Sequence, residues 1–240
     1  MNTSAFSLSP PARDGLGVGL AVGVSGLAFG TTAATAGLSV AQACALSLLC
    51  FTGASQFALV GVVAGGGSVM AGATGALLLG ARNTLYGLRL ADVLGWHGGR
   101  RIAAAHGLID ETAAVALAQR GRRDARTGYT VTFASLFLCW NLTTLVGALA
   151  ADRIGDPAVF GLDAVGPALF LALVWPRLRE EGRRSRLVAL LGVLIALAAT
   201  PLVPPGVPVL LAAVAALAGM GGAAGSDGDT PGDREREVRP

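Results

Sequence analysis

The sequence predicts an all-α protein, a polytopic transmembrane helical bundle of about seven to eight spans in which glycine or proline interrupts one or two helices. Three observations predict this fold. Only 14% of the 240 residues are charged, whereas a soluble domain carries about a quarter. The mean hydropathy is +0.63. Several uncharged runs reach the roughly 20 residues that a helix needs to cross a bilayer.

Composition also limits the function. Every one of the 18 basic residues is arginine, and the net charge is +3. Because these arginines stand beside apolar runs, we interpret them as markers of membrane topology and expect no nucleic-acid partner. The three cysteines lie in apolar runs without C-x-x-C spacing, which predicts small buried residues and neither a disulfide framework nor a thiolate metal site. We expect no cofactor.

The chain divides into three parts. Residues 1–14 are expected to form a cytoplasmic N-terminal segment, which lacks the pattern of a cleaved signal peptide. Residues 15–222 form the predicted transmembrane transport domain. Residues 223–240 are rich in Gly, Asp, Arg and Pro, so we expect a disordered C-terminal tail.

The first three spans follow from uncharged or nearly uncharged runs. Residues 15–36 carry no charge and reach about 33 Å as a helix. Their glycines recur at small-xxx-small spacing, which predicts close packing of another helix; they are Gly15, Gly19, Gly23, Gly26 and Gly30. Residues 40–64 form a second run with a polar interruption at 52–56, and residues 69–90 form a third that contains Arg82.

The later spans are less uniform. Residues 102–119 are apolar enough to span but contain charged side chains, so they either cross the membrane or lie on it as an amphipathic helix. Residues 128–150 are a clear span. Residues 157–175 form another, and residues 187–203 and 206–222 a closing pair.

Arginines in the loops predict the topology. Arginines at 120–126 and 177–186 mark two cytoplasmic loops, and Arg13 places the N-terminus inside. An even number of crossings must then separate Arg13 from Arg120, which favours 102–119 as a fourth crossing, eight crossings in total and both termini in the cytoplasm. Arg100 and Arg101 then fall outside. If 102–119 lies on the surface, the count is seven and the N-terminus changes side.

Four ionisable residues lie inside predicted spans, where a charge costs roughly 2.5–3.5 kcal/mol. They are Arg82, Asp110, Glu111 and Asp163. One interpretation is an ion-pair network that only fixes helix packing. The other is a polar pathway, in which Arg82 binds a substrate carboxylate and an acidic residue takes an ammonium group or a coupling proton.

Polar residues elsewhere add candidate contacts. Ser55 and Gln56 lie in the glycine-interrupted second span, where transporters often build binding sites, although a simple kink remains an alternative. Tyr86 shares a helix face with Arg82. Pro167 marks a second possible interruption. His106 and Asp110 have chelating spacing, but without a third ligand we predict no metal site.

Four short motifs, in order, resemble those of the AzlC family, the large subunit of branched-chain amino acid exporters. F-T-G-A-S-Q at 51–56 is similar to F-x-G-A-S-Q, and A-R-N-T-L-Y-G at 81–87 to N-L-R-H-x-x-Y-G. I-D-E-T at 109–112 is similar to a T-D-E segment, and G-L-D-A with P-A-L-F at 161–170 to G-L-D-F-x-x-P-A-x-F. The resemblance covers about residues 15–180.

The resemblance implies export of hydrophobic amino acids from a bacterial cell across its inner membrane, with a small AzlD-like membrane subunit as partner. For such a transporter we expect substrate contact by Ser55, Gln56, Arg82, Asn83 and Tyr86, and coupling to a proton or amine by Asp110, Glu111 and Asp163. Asn83 stands where the family has His, so a role of that His in proton movement is in doubt here. No P-loop occurs, so we expect an ion or substrate gradient to drive transport.

Two other functions compete with transport. An intramembrane enzyme would need a nucleophile elbow or H-E-x-x-H motif, and the sequence has neither; we therefore predict no catalytic residues. An accessory membrane subunit without a pathway of its own would fit the glycine stripe but not the charges within the spans.

Overall fold

The structure is a computed structural model that describes residues 8–154 and 182–203, with residues 168, 171, 175, 178–179, 207–208 and 211–212. These residues contain helices and no strand. The helices are α1 (Pro10–Gly23), α2 (Gly26–Thr35), α3 (Val40–Leu49), α4 (Ala54–Ala64), α5 (Val69–Gly80), α6 (Arg82–Leu94), α7 (Gly99–His106), α8 (Asp110–Leu117), α9 (Arg122–Ile154) and α10 (Gly182–Ala199). Helices α1–α9 belong to one compact unit and α10 to a second.

Two segments within the described residues are long and apolar enough to cross a membrane by themselves: Pro10–Thr35, which joins α1 to α2, and Arg122–Ala151 of α9. They pack side by side along the glycine stripe. A Cβ added at Gly15 would lie 2.8 Å from Thr132 Oγ1, and one at Gly23 would lie 2.5 Å from Cys139 Cβ. The predicted close packing at the stripe is confirmed. The two segments run parallel, since successive glycines of the first segment contact successively later residues of α9.

Helices α3 and α4 form a hairpin instead of one continuous crossing. Ser47 of α3 donates a hydrogen bond to Asn141 in the middle of α9, and Phe51 then contacts Phe133 and Phe137, nearer the start of α9. Beyond Gly53, α4 turns back, since its Phe57 stacks edge-on against Phe29 of α2. The polar interruption is therefore confirmed, and residues 40–64 form two helices that fold back on each other. The number of membrane crossings stays a prediction.

Helices α5 and α6 bring the chain to the opposite end of the unit. Helix α5 runs antiparallel to α4, with Gly72 against Leu59 and Gly80 against Ser55. Ala81, between α5 and α6, keeps helical dihedrals. At the end of α6, Arg126 donates to the Leu94 and Gly95 carbonyls. The segment 69–94 therefore ends beside the start of α9.

Helices α7 and α8 form a second hairpin, which begins and ends beside the start of α9. Tyr129 donates a hydrogen bond to the Ala104 carbonyl of α7. Deeper along α9, Phe133 lies against Gly107 at the turn, and α8 returns until Val115 meets Gly128. Residues 102–119 thus do not form one continuous helix beside α9. They enter the unit and return to the same end.

We call the end of the unit where α9 begins the arginine end, because Arg101, Arg122 and Arg126 gather there around the last turn of α6. The hairpin α7–α8 enters from the arginine end. The hairpin α3–α4 enters from the opposite end, where α2 and α9 finish. Arg100 and Arg101 consequently lie at the same end of the unit as Arg122.

Some predicted features fall outside the described residues. These are Asp163, the Gly161–Pro167 stretch, most of the predicted spans 157–175 and 206–222, and the tail 223–240. The three-part division of the chain stays a prediction. The cysteines are less buried than expected, since Cys44 and Cys139 are half-buried and Cys50 is exposed.

Candidate functional site

The tips of the two hairpins meet beside the middle of α9. Phe51, at the tip of α3–α4, lies 6.4 Å from the ring of His106, at the tip of α7–α8. Both rings contact Phe137 of α9, at 5.1 and 5.8 Å between ring centroids. His106 is thus a member of an aromatic cluster, and no group of three His, Cys, Asp or Glu side chains among the described residues is placed to hold a metal.

An ion pair lies beside this meeting point. Arg82, the first residue of α6, places Nη2 2.7 Å from Oδ2 of Asp110, the first residue of α8. The two side chains are 34% and 31% exposed. Asp110 makes this contact because the α7–α8 hairpin carries it to the level of Arg82.

The pair leaves hydrogen-bonding capacity unused. Arg82 Nε and Asp110 Oδ1 are both buried and have no hydrogen-bond partner among the described residues. Asn83 Oδ1, next along α6, is in the same condition. Because buried polar atoms are almost always paired, such a group of unpaired atoms requires an explanation, and a ligand-binding role is one.

The other predicted residues hold different positions around the pair. Ser55 lies at the start of α4, with Oγ 3.5 Å from a Cβ position on Gly80, two residues before Arg82. Glu111 follows Asp110, is half-buried and interacts electrostatically with both Asp110 and Arg82. Tyr86 packs one turn from Arg82 against the cluster around Leu90 and Tyr129, and no described contact joins it to the pair.

Gln56 holds the hairpin turn together. Its side-chain oxygen accepts the Gly53 N–H at 3.1 Å, and its amide donates to the Leu46 carbonyl of α3 at 3.0 Å. Gly53 has a φ of 54°, a conformation that favours glycine. Only 1% of Gln56 is exposed. The contacts explain the polar interruption structurally, and a role of Gln56 in substrate contact stays a prediction.

Thr112 has the matching task in the second hairpin, and sequence reasoning missed it. Its hydroxyl accepts the Ile109 N–H at 3.1 Å and donates to the Gly107 carbonyl at 2.7 Å. The signal was present, because Thr112 stands three residues after the turn, where a capping side chain belongs. Sequence reasoning also missed Phe133 and Phe137, whose apolar type is typical of any span.

An apolar groove leads from the arginine end towards the ion pair. It has a volume of about 280 Å³ and lies between α6, α7 and α9. Trp96 and Arg101 line it near the arginine end, and Thr84 and Leu108 line it close to Arg82 and Asp110. The distance along α6 from Leu94 to Thr84 is about 15 Å, half the hydrocarbon thickness of a bilayer.

The comparison with known proteins identifies the family. The family described as AzlC protein matches residues 17–154, which include both hairpins, Arg82 and Asp110. The chain belongs to the AzlC family. The inner membrane protein YgaZ of Escherichia coli (strain K12) is 29% identical over 175 residues, which cover 70% of this chain and 71% of that protein. No solved structure matches the chain.

Family membership and this relative support a membrane protein with a role related to transport, and they support an inner-membrane location. They are also consistent with a chain that is not an enzyme. The two hairpins share one further feature: each turn lies near the middle of α9. Inside a membrane, irregular backbone is tolerated only when protein or a cavity surrounds it.

Proposed function

We propose that this AzlC-family chain is the large subunit of an exporter of hydrophobic, branched-chain amino acids, coupled to an ion gradient. The observation that carries the proposal is the Arg82–Asp110 pair with its unused hydrogen-bonding atoms. A free amino acid is itself a carboxylate and an ammonium on neighbouring atoms. It can satisfy Arg82 with its carboxylate and Asp110 with its ammonium group, replacing one charge pair by two.

The surroundings of the pair suit a solute with an apolar side chain. The groove that leads to the pair is lined mainly by Leu, Ala and aromatic side chains. Ser55 and Asn83 supply neutral polar contacts beside the charged pair, and Glu111 is placed to carry a coupling proton. Asp163 keeps the same proposed role. Tyr86 and Gln56 contribute by holding their helices in position.

The contacts favour a particular arrangement in the membrane. The segments 10–35, 69–94 and 122–151 are proposed to cross, and the hairpins α3–α4 and α7–α8 to enter from opposite sides without crossing. With 157–175, 187–203 and 206–222 as further spans, six crossings replace the seven or eight predicted, and both termini lie in the cytoplasm. The arginine end then faces the cytoplasm, as the positive-inside rule requires.

A small AzlD-like membrane subunit remains the proposed partner, and the export assay therefore includes it. Cells without their own branched-chain exporters are loaded with leucine-containing dipeptides, and leucine efflux is measured with the chain and the small subunit co-expressed. Arg82→Gln is expected to lower efflux about tenfold or more, since loss of about 1.4 kcal/mol already gives a factor of ten.

Arg89→Gln is the matched control. Arg89 lies two turns further along α6 and is exposed, and its substitution removes the same charge. It should leave efflux within about twofold of the parent chain, and both variants should reach the membrane in equal amount. Efflux by Arg82→Gln at the parent rate would contradict the proposed function, as would efflux that does not depend on the chain at all.

A further inference from the structure

The two hairpins and the segments that follow them form an inverted pair. Hairpin α3–α4 enters from the end opposite the arginine end, and α5–α6 then runs to the arginine end. Hairpin α7–α8 enters from the arginine end, and α9 then runs away from it. The turns share their chemistry, since Gln56 and Thr112 each cap the N–H three residues earlier. Inverted repeats of this kind underlie alternating access in many transporters.

The two hairpins differ in what holds them. Hairpin α3–α4 is fixed to its neighbours by uncharged contacts: the Ser47–Asn141 hydrogen bond of 2.8 Å, and the edge-on packing of Phe57 against Phe29 and Trp140. The tip of α7–α8 is held on α6 by the Arg82–Asp110 pair, in which the buried Arg82 Nε and Asp110 Oδ1 have no partner among the described residues. The first set of contacts contains no charged group with which a solute could pair, whereas the second is a pair of charged groups.

We propose that the α7–α8 hairpin is the moving gate at the arginine end, that the Arg82–Asp110 pair is its latch, and that a zwitterionic amino acid releases the latch by taking both charges. The α3–α4 hairpin is the fixed wall against which the gate closes. The proposal rests on the proposed function for its solute, but the latch itself does not depend on which solute is carried.

The cost of separating Arg82 from Asp110 explains how the pair keeps the gate closed. Opening the gate without a solute would separate two partly buried opposite charges, and breaking such a pair is strongly unfavourable. A solute with both charges supplies a new partner to each side, so the gate opens only when it is loaded. The groove fits this role, because it lies between α6 and the α7 arm of the gate and reaches Leu108, two residues before Asp110.

Two cysteine pairs report separately on the gate and on the wall. In a chain whose native cysteines are replaced by serine, Gly87→Cys with Leu108→Cys joins α6 to the gate. A Cβ position on Gly87 lies 3.1 Å from Leu108 Cδ2. Val62→Cys with Gly72→Cys joins α4 to α5, where the Cβ position on Gly72 lies 3.4 Å from Val62 Cβ. Disulfide formation under copper phenanthroline is followed by mass spectrometry.

The first readout needs no transport. Asp110→Asn breaks the ion pair that forms the latch. It should slow formation of the 87–108 disulfide by about threefold or more, since a mobile gate spends less time against α6. The rate of the 62–72 disulfide should stay unchanged. Equal 87–108 rates with and without the substitution would overturn the latch. Slowing of both disulfides would overturn the fixed wall.

The second readout is leucine efflux, compared between the oxidised and reduced forms of each protein. The 87–108 disulfide should lower efflux about tenfold or more, with recovery in dithiothreitol, and the 62–72 disulfide should change it less than about twofold. Efflux that continues through the 87–108 disulfide overturns the gate alone. If the parent chain exports no leucine, the proposed function fails, and the disulfide rates still decide the latch.

Discussion

The hairpins α3–α4 and α7–α8 have the same outline and opposite chemistry. Both turn near the middle of α9, and both are capped by a side chain three residues into the returning helix. The returning helix of the first begins with Ala54 and Ser55, and that of the second begins with Asp110 and Glu111. Two hairpins with similar backbone turns therefore differ in their side chains: the tip of the first is uncharged, and the tip of the second carries charged side chains that can pair with a solute.

The largest effect should come from the charged tip. Asp110→Asn keeps the shape of the side chain and removes its charge, so Arg82 loses its partner and the solute ammonium loses its site. We expect leucine efflux to fall about tenfold or more. The matched change at the other tip is Thr52→Val, which should retain at least about half of the efflux because the Thr52 hydroxyl makes an exposed hydrogen bond to the nearby Cys50 carbonyl and carries no charge. Equal losses at both tips would erase the functional difference between the hairpins.

Substitutions in the uncharged hairpin α3–α4 should instead lower the stability of the fold. Gln56→Ala leaves the Gly53 N–H unpaired, at about 1–3 kcal/mol for a buried group. It also removes one of two hydrogen bonds on the Leu46 carbonyl, which still accepts the Cys50 N–H. We expect a clear drop in melting temperature in detergent. Gln42→Ala is the control, because Gln42 makes the same kind of cap to the Ser39 N–H at 2.8 Å but is exposed. If both substitutions lower the melting temperature equally, the clamp assigned to Gln56 is wrong.

The contact of α1 with α9 lies outside the hairpins, and substitutions there test the effect of helix packing on stability. Gly23→Val would overlap Cys139, and overpacking of this kind costs about 1–3 kcal/mol. Gly17→Val adds the same group where no atom lies within 4 Å. The melting temperature should fall for Gly23→Val and stay near that of the parent for Gly17→Val. A fall for both would show that helix propensity, and not the close approach, is being measured.

The smallest effect concerns the hydrogen bond that ties α3 to α9. Ser47→Ala removes the bond to Asn141, and interhelical hydrogen bonds in membrane proteins contribute about 0.6 kcal/mol on average. A shift of a few degrees or less in melting temperature is expected, with efflux unchanged. A shift as large as that of Gln56→Ala would mean that this hairpin depends on its neighbours more than on its own turn.

Much of the helical content was predictable from the sequence, because uncharged runs and glycine or serine turns mark where helices begin and end. The glycine stripe also predicted its own close packing. The direction of the chain after Gly53 was not predictable, since a run such as 40–64 has the same composition whether it continues or turns back. Tertiary contacts such as that of Phe57 with Phe29 distinguish the two.

The candidate site was predictable in its residue types and not in its pairing. The cost of charge within apolar runs singled out Arg82, Asp110 and Glu111. Nothing in their spacing indicates that Asp110 contacts Arg82 while Tyr86, on the same helix as Arg82, packs elsewhere. That choice depends on where the tip of the second hairpin lies, which follows from the packing of Gly107 on Phe133.

The central claim, that residues 99–119 enter and leave on one side of the membrane, is tested most directly by labelling with a membrane-impermeant maleimide. In the chain without native cysteines, Gly99→Cys, Gly121→Cys and Gly65→Cys each place one thiol at an exposed turn or helix start. The account predicts that positions 99 and 121 react from the cytoplasmic side, in inverted vesicles, and that position 65 reacts from outside, in whole cells. Reaction of positions 99 and 121 from opposite sides would show that the segment crosses, and would contradict the account.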